Sequence, residues 1–382
     1  MADGLLNKAS IILTPTGYKA GTLYNVAPID EPYEDFDFAR TSTATRINSS
    51  GLVSNVATGV PRISYDSNGD NGHILLEPTS TNLIPYSEDF NSGWTQYGSP
   101  TINTSSIISP DGTLNGSKIT RGSNQTPLRF VNVAPLNNEY TFSVYAKKGS
   151  VDSMLLDIGD VAQVEFTLTD EWQRFTVTQT PTTYKHVDIS LGTSVSGDFI
   201  YIWGAQLEAL SFATSYIPSL TGSQEVRATE TATGAGSADL INSTEGVLYA
   251  EIAALADDNT YRTISLSSGS ISNRVFIQFR STSGQVNSGI VVSNSLQAVL
   301  SHTITQTQYI KMAFKYKAND FALWVNGVEV GTDTSGTTFT ANTLTKLNFD
   351  SGSGAEDFYG KCKAVAVFKE ALSDDELTQL TT

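Results

Sequence analysis

The chain has 382 residues, more than one hydrophobic core usually supports, and its 23 Lys plus Arg against 39 Asp plus Glu give a net charge of −16. That balance repels phosphate backbones and anionic membranes, so nucleic acid is not the expected partner. The 16 Tyr, 17 Phe and 4 Trp exclude a mainly disordered chain and the single cysteine excludes an intrachain disulfide framework; no run approaches the roughly 18 apolar residues of a membrane-spanning helix.

In chain order, Met1–Lys8 lacks a basic region followed by an apolar stretch. The expectation is a protein made in a cytoplasm, kept there or carried outside as part of a particle. Residues 1–82 carry few alternating runs, many polar turn residues and the acidic stretch Asp30-Glu31-Pro32-Tyr33-Glu34-Asp35. They read as an irregular segment that needs a partner surface to become ordered.

Residues 83–225 read as a first strand-rich unit. Tyr140-Thr-Phe142-Ser-Val144-Tyr-Ala146 alternates with the period of two that marks a half-buried strand, and Asn91-Ser-Gly93 and Pro110-Asp-Gly112 supply turns. Residues 226–244 read as a linker, on the small residues of Thr229-Glu-Thr-Ala-Thr-Gly-Ala-Gly-Ser-Ala238.

Residues 245–382 form a second strand-rich unit. Ile310-Lys-Met312-Ala-Phe314-Lys-Tyr316-Lys alternates cleanly, with its lysines marking the expected wet face. Asn326-Gly327 predicts a type I′ hairpin between Trp324 and Val330, because both central residues must take positive φ. Cys362, in Lys361-Cys362-Lys363-Ala364-Val365, reads as a buried structural thiol on a strand. One helix is expected, capped by Ser373 with Glu376 completing a capping box, Leu372 and Leu377 at the staple positions, and an end by about Leu380.

Catalytic motifs are missing. His73, His186 and His302 stand far apart with no second histidine at metal-pair spacing, so no zinc site is expected. No Glu-x-Asp occurs, which removes the paired carboxylates of a sandwich-type glycoside hydrolase, and there is no nucleophile elbow, dinucleotide fingerprint or phosphate loop. Two weak binding candidates remain. Asp257-Asp258-Asn259 offers oxygen ligands for calcium at a loop, against the plainer reading of a solvated acidic turn. Trp94 and Tyr97 offer aromatic faces to a sugar ring, although a tryptophan at such a position is more often a core anchor.

Several segments carry a resemblance. Phe36-Asp-Phe38-Ala-Arg40-Thr-Ser42-Thr-Ala44-Thr45-Arg46-Ile-Asn48, Gly51-Leu52-Val53, Pro61-Arg62-Ile63-Ser64-Tyr65, Leu75-Leu76-Glu77-Pro78, Thr81-Asn82-Leu83 and Tyr86-Ser87-Glu88 resemble a module of bacteriophage tail-fibre and head-fibre proteins. Ser64 departs from that pattern, which usually has Asp there. Pro110-Asp111-Gly112-Thr113, Tyr140–Tyr145, Trp172-Gln-Arg174, Tyr201-Ile-Trp203-Gly204-Ala205-Gln206-Leu207-Glu208 and the exit Ala213-Thr214-Ser215-Tyr216-Ile217-Pro218 look like a carbohydrate-binding-type jelly roll. Glu245–Glu251, Trp324–Val330, Phe358-Tyr-Gly360 and Ala371–Glu376 look like a concanavalin A-like (laminin G-like) sandwich.

The expected fold class is therefore all-β, with an irregular N-terminal anchoring segment and two antiparallel β-sandwiches, jelly roll then concanavalin A-like. The resemblance implies a non-enzymatic virion protein, a head or tail fibre or decoration, made in the host cytoplasm. It would contact other virion proteins through residues 1–82 and host-surface glycans through its sandwiches. It would form a homo-oligomer, a trimer by the habit of such fibres, without membrane insertion. A plain structural joint and a glycan hydrolase with an unfamiliar site stand as alternatives.

Overall fold

A computed structural model describes residues 4–27, 35–131, 135–192 and 194–382, so most of the acidic stretch at 30–35 lies outside the described residues. The chain is nearly all strand, as its alternation predicts, and builds two antiparallel sandwiches.

The jelly roll packs one five-stranded sheet (Thr95–Gln96, Leu128–Val131, His186–Leu191, Ser153–Ile158, Val164–Thr167) on another (Thr101–Ile107, Gly116–Thr120, Phe199–Glu208, Tyr140–Lys147, Gln173–Gln179). Every second residue of the central strands enters one shared core, including Phe142, Val144, Leu156, Ile189 and Ile202.

The second sandwich has a five-stranded sheet (Ser295–Thr303, Gln285–Val292, Arg274–Phe279, Arg262–Ser267, Lys346–Asn348) facing an eight-stranded one. The larger sheet is centred on Glu245–Ala254, flanked by Ile310–Lys317 and Gly360–Phe368. The Asn326-Gly327 hairpin forms as predicted, joining Phe321–Val325 to Val328–Asp333 with φ of 48° and 81° at its centre. Cys362 is fully buried, and burial pushes its thiol pKa up.

The lysine-marked face of Ile310–Lys317 is wet only in part: Lys317 is exposed, Lys311 is half-buried and Lys315 is buried. The helix Asp374–Thr381, capped by the expected Ser373–Glu376 box, lies on that side of the sheet. It brings Leu377 and Leu380 into a second apolar layer with Leu5, Tyr249, Ala313, Trp324 and Phe368, and Lys315 pairs with Asp320 at 2.8 Å.

Two expected boundaries fall elsewhere. Residues 1–82 are not an irregular appendage: Ala9–Leu13 pairs with the far end of Gly360–Phe368, and His73–Leu76, itself paired with Ile63–Ser64, lines the near end of the same strand. Ile11, Leu13, Phe36, Ile74 and Leu76 thereby join the core of the C-terminal sandwich. These strands have two to five residues, and Ala9–Leu13 and His73–Leu76 find Gly360–Phe368 hundreds of positions away, so no hairpin signature announces that pairing.

The supposed linker 226–244 is also built in. Glu225–Arg227 pairs with Ser80–Asn82, and Thr231–Thr233 with Phe36–Ala39. Its small residues serve close packing: Ala232 and Ala235 are fully buried, and a Cβ on Gly236 would meet Ile11 Cδ1 at 2.9 Å.

The parts meet at a buried ionic knot. Glu230 accepts from Arg40 Nη1 (2.7 Å), from the Arg62 guanidinium and from the Glu77 backbone N–H (3.0 Å). Glu77 accepts from Arg62 Nη2 (2.8 Å), Arg227 and Ser215 Oγ (2.6 Å). Burial alone would raise the Glu77 pKa, but the Arg227 and Arg62 charges and the Ser215 bonds outweigh it and hold it at about 2.

Candidate functional site

The outer face of the first jelly-roll sheet carries a close row of polar groups, its centre buried at Asp157, His186 and Asp188. Alternation positions them. In Leu128–Val131, Leu128 and Phe130 point into the core and Arg129 outward; in His186–Leu191, Val187, Ile189 and Leu191 are core while His186, Asp188 and Ser190 lie on the opposite face. Asp157 takes the same face of Ser153–Ile158, between Leu156 and Ile158.

Register then lines these residues up. Thr95 stands opposite Arg129, Arg129 opposite Asp188, and Asp188 opposite Asp157, giving one row across four strands. Arg129 grips Asp188 with two parallel bonds, Nε to Oδ1 at 2.7 Å and Nη2 to Oδ2 at 2.6 Å. Gln163 extends the row by donating to Asp157 Oδ1 (2.7 Å) and Ser190 Oγ (3.1 Å).

Tyrosines flank the row. Tyr97, 36% exposed, lies under the Arg129 guanidinium at 5.5 Å. Tyr184, 59% exposed, stands 5.9 Å from the His186 ring. Its loop is pinned by Asp160, which accepts from Thr182 Oγ1 (2.5 Å) and from the backbone N–H groups of Thr182 and Thr183 (both 2.8 Å). Those bonds hold the Asp160 carboxyl well below the usual range.

Crowding tunes the centre. Burial, opposed by the Gln163 bond and reinforced by Asp188, raises Asp157 to a pKa of about 6. Burial also lowers His186, whose Nε2 lies 3.6 Å from Asp188 and 3.9 Å from Asp157. Asp157, His186 and Asp188 each offer a ligand atom within 4.8 Å of the others, close enough for one divalent cation, although Asp188 is already engaged by Arg129. No nucleophile is paired with a base here. The face offers fixed donors, acceptors and aromatic planes, which suit a hydroxyl-rich ligand.

Of the sequence candidates, Tyr97 borders this face. Trp94 does not: it is 5% exposed, wedged between Phe90 and Phe130 at 5.4 Å each, and its indole N–H donates to the Tyr86 carbonyl. It is the core anchor that its alternative reading described, and no sugar can reach its ring.

Asp257 and Asp258 do not converge on a common point either. Asp257 accepts from Ser283 Oγ (2.6 Å) and Gly284 N–H (2.8 Å), whereas Asp258 pairs with Arg262 at 2.7 Å and caps its own turn through Thr260. Both carboxylates are occupied in holding loops. His186 and its neighbours escaped the sequence reading because Asp157 reaches them only through strand register; the local sign was His186-Val-Asp188, two polar residues on one side of an otherwise apolar strand.

Residues 242–378 match the family model of the concanavalin A-like lectin/glucanases superfamily, so this stretch is a domain of that type. No curated protein matches the chain. Among solved structures, the chain is similar to the CBM40 of the Ruminococcus gnavus IT-sialidase, at 17% identity over 37% of this chain and 84% of that one, with a TM-score of 0.31. It is similar to domain 4 of AbnA, a GH43 extracellular arabinanase from Geobacillus stearothermophilus in complex with arabinotriose, at 12% identity over 40% and 73%, TM-score 0.34. The Caenorhabditis elegans galectin LEC-6 is similar at 13% identity over 33% and 83%, TM-score 0.24. Likenesses this partial carry neither ligand nor activity across.

Proposed function

We propose that the chain is a non-catalytic attachment protein that binds neutral glycans on the outer face of its jelly-roll sheet. The observation that carries this reading is the row of two bonded pairs, Arg129–Asp188 and Gln163–Asp157, set side by side by strand register and bordered by the exposed rings of Tyr97 and Tyr184. Such a face meets sugar hydroxyls with acceptors and donors already in place, and sugar C–H surfaces with aromatic planes. A shallow open face gives weak single-site affinity, which several copies of the chain would multiply.

The setting we propose is a virion fibre or decoration. Its support is the resemblance of Phe36–Glu88 to a phage fibre module and the jelly roll and concanavalin A-like domain that follow. In a trimeric fibre the jelly-roll faces would point at the host surface while other surfaces meet virion proteins.

An array of neutral glycans probed with the full chain tests the first claim. Binding is expected, with Tyr184→Ala and Arg129→Gln each lowering the signal about tenfold while leaving Tm within a few degrees. A full-length chain that binds no glycan, or variants that bind as well as the parent, would sink the sheet-face assignment. Antibody labelling of purified phage particles tests the setting, and unlabelled particles would remove it.

A further inference from the structure

A cleft of about 240 Å³ opens where the N-terminal strands, the jelly roll and the C-terminal sandwich meet. Arg46 and Lys361 line it from two of these parts and Arg174 from the third. None of the three makes an ion pair among the described residues, although the chain as a whole carries a net charge of −16.

Their only partners are neutral. Arg46 Nη1 donates to Tyr18 Oη (2.9 Å) and the Ile63 carbonyl, and Arg174 donates to the Thr214 carbonyl (2.6 Å) and Ser143 Oγ (2.9 Å). The Nε–H groups of both arginines are buried and bonded to nothing. Glu77, which also lines the cleft, is fully committed to Arg62, Arg227 and Ser215, so it cancels none of this charge. Two guanidinium groups and an ammonium around a small space, with buried donors unpaired, lack a compensating anion.

The shape and the remaining chemistry narrow the anion. The volume holds roughly eight waters, below the usual range for drug-sized ligands, so it fits one ring and not a chain of sugars. Guanidinium forks match a planar carboxylate. His73, which also lines the cleft, contacts the Asn71 carbonyl through Nδ1 at 3.0 Å; because a carbonyl can only accept, Nδ1 carries the proton and Nε2 is left as an acceptor. An acceptor among cations suits a ligand that brings hydroxyl donors beside its negative charge, which a dianionic phosphate lacks.

We infer that this cleft is a second binding site, distinct from the jelly-roll face, for a single carboxylate-bearing sugar of the hexuronic acid class. The sugar's carboxylate pairs with Arg46, Arg174 and Lys361, and its ring hydroxyls meet His73 and Tyr65.

Titration calorimetry of the full chain with sodium glucuronate tests it, with glucose and inorganic phosphate as comparisons. Saturable glucuronate binding is expected, at least tenfold tighter than either. Lys361 has no side-chain partner among the described residues, so Lys361→Gln and Lys361→Glu are expected to keep the fold, checked by an unchanged Tm, and to weaken binding about fivefold and to abolish it, respectively. No saturable binding, phosphate bound as tightly as glucuronate, or affinity unchanged in both variants would each overturn the assignment. The neutral-glycan array reads a different face with different ligands, so either proposal can fail alone.

Discussion

Glu77 and Glu230 sit where three parts of the chain touch, and each holds more than one arginine out of water's reach. Replacing Glu230 by Ala leaves Arg40 buried without a counter-charge and Arg62 with Glu77 alone; the expected loss is about 3–5 kcal/mol, read by urea unfolding. Asp157 gives a second residue-level test. Its folded pKa of about 6 lies above the ordinary 3.8, so the native state holds the proton more tightly and loses stability as pH rises from about 4 to about 6. Asp157→Asn keeps an acceptor for Gln163 and removes that cost, at most about 3 kcal/mol. Its Tm should exceed the parent's at pH 7.5 and match it near pH 4; equal differences at both values would refute the assignment. At this scale the sequence showed single residues and not their company. Cys362 was legible because its neighbours settle its burial, but Trp94 was open to two readings, and Arg40, Arg62 and Glu77 stood out only as parts of a resemblance and not as members of a knot.

Elements with local signals were readable. The Asn326-Gly327 turn and the Ser373–Glu376 cap are set by residues within a few positions, and both formed where the sequence put them, the helix running one residue further, to Thr381. Ser373→Ala should cost about 1 kcal/mol, since it frees the Glu376 N–H and removes the hydroxyl that donates to Glu376 Oε2, while the bond from the Ser373 backbone N–H stays. A shift in the thermal midpoint of a few degrees checks this, and no shift would mean that packing of Leu377 and Leu380 alone fixes the helix. The outer-face burial of Ile310–Lys317 was not readable, because alternation reports the face turned to the core and says nothing of what later covers the other. Short strands such as Thr231–Thr233 were missed for a related reason: three residues of Thr and Ala carry no period, and only their partner Phe36–Ala39 makes them a strand.

For the whole molecule, composition and alternation gave the class, two antiparallel sandwiches, but not the division of the chain between them. The C-terminal sandwich borrows Ala9–Leu13, Ile63–Ser64 and His73–Leu76, and its core holds Ile11, Leu13, Phe36 and Ile74. A fragment of residues 226–382 is therefore expected to expose one long edge of Gly360–Phe368 and to aggregate, whereas the full chain stays monodisperse in gel filtration. A monodisperse fragment with a sharp thermal transition would show that the borrowed strands are dispensable.

The same pairing sets an order in time. Gly360–Phe368 is made long after Ala9–Leu13 and His73–Leu76, and until it emerges those strands have no mate along that edge. The jelly roll, complete by Glu208, can close while synthesis continues. Strands made early thus belong to a sheet that closes only when a partner made far later arrives, and their apolar faces must wait until then in solution or in the grip of a chaperone.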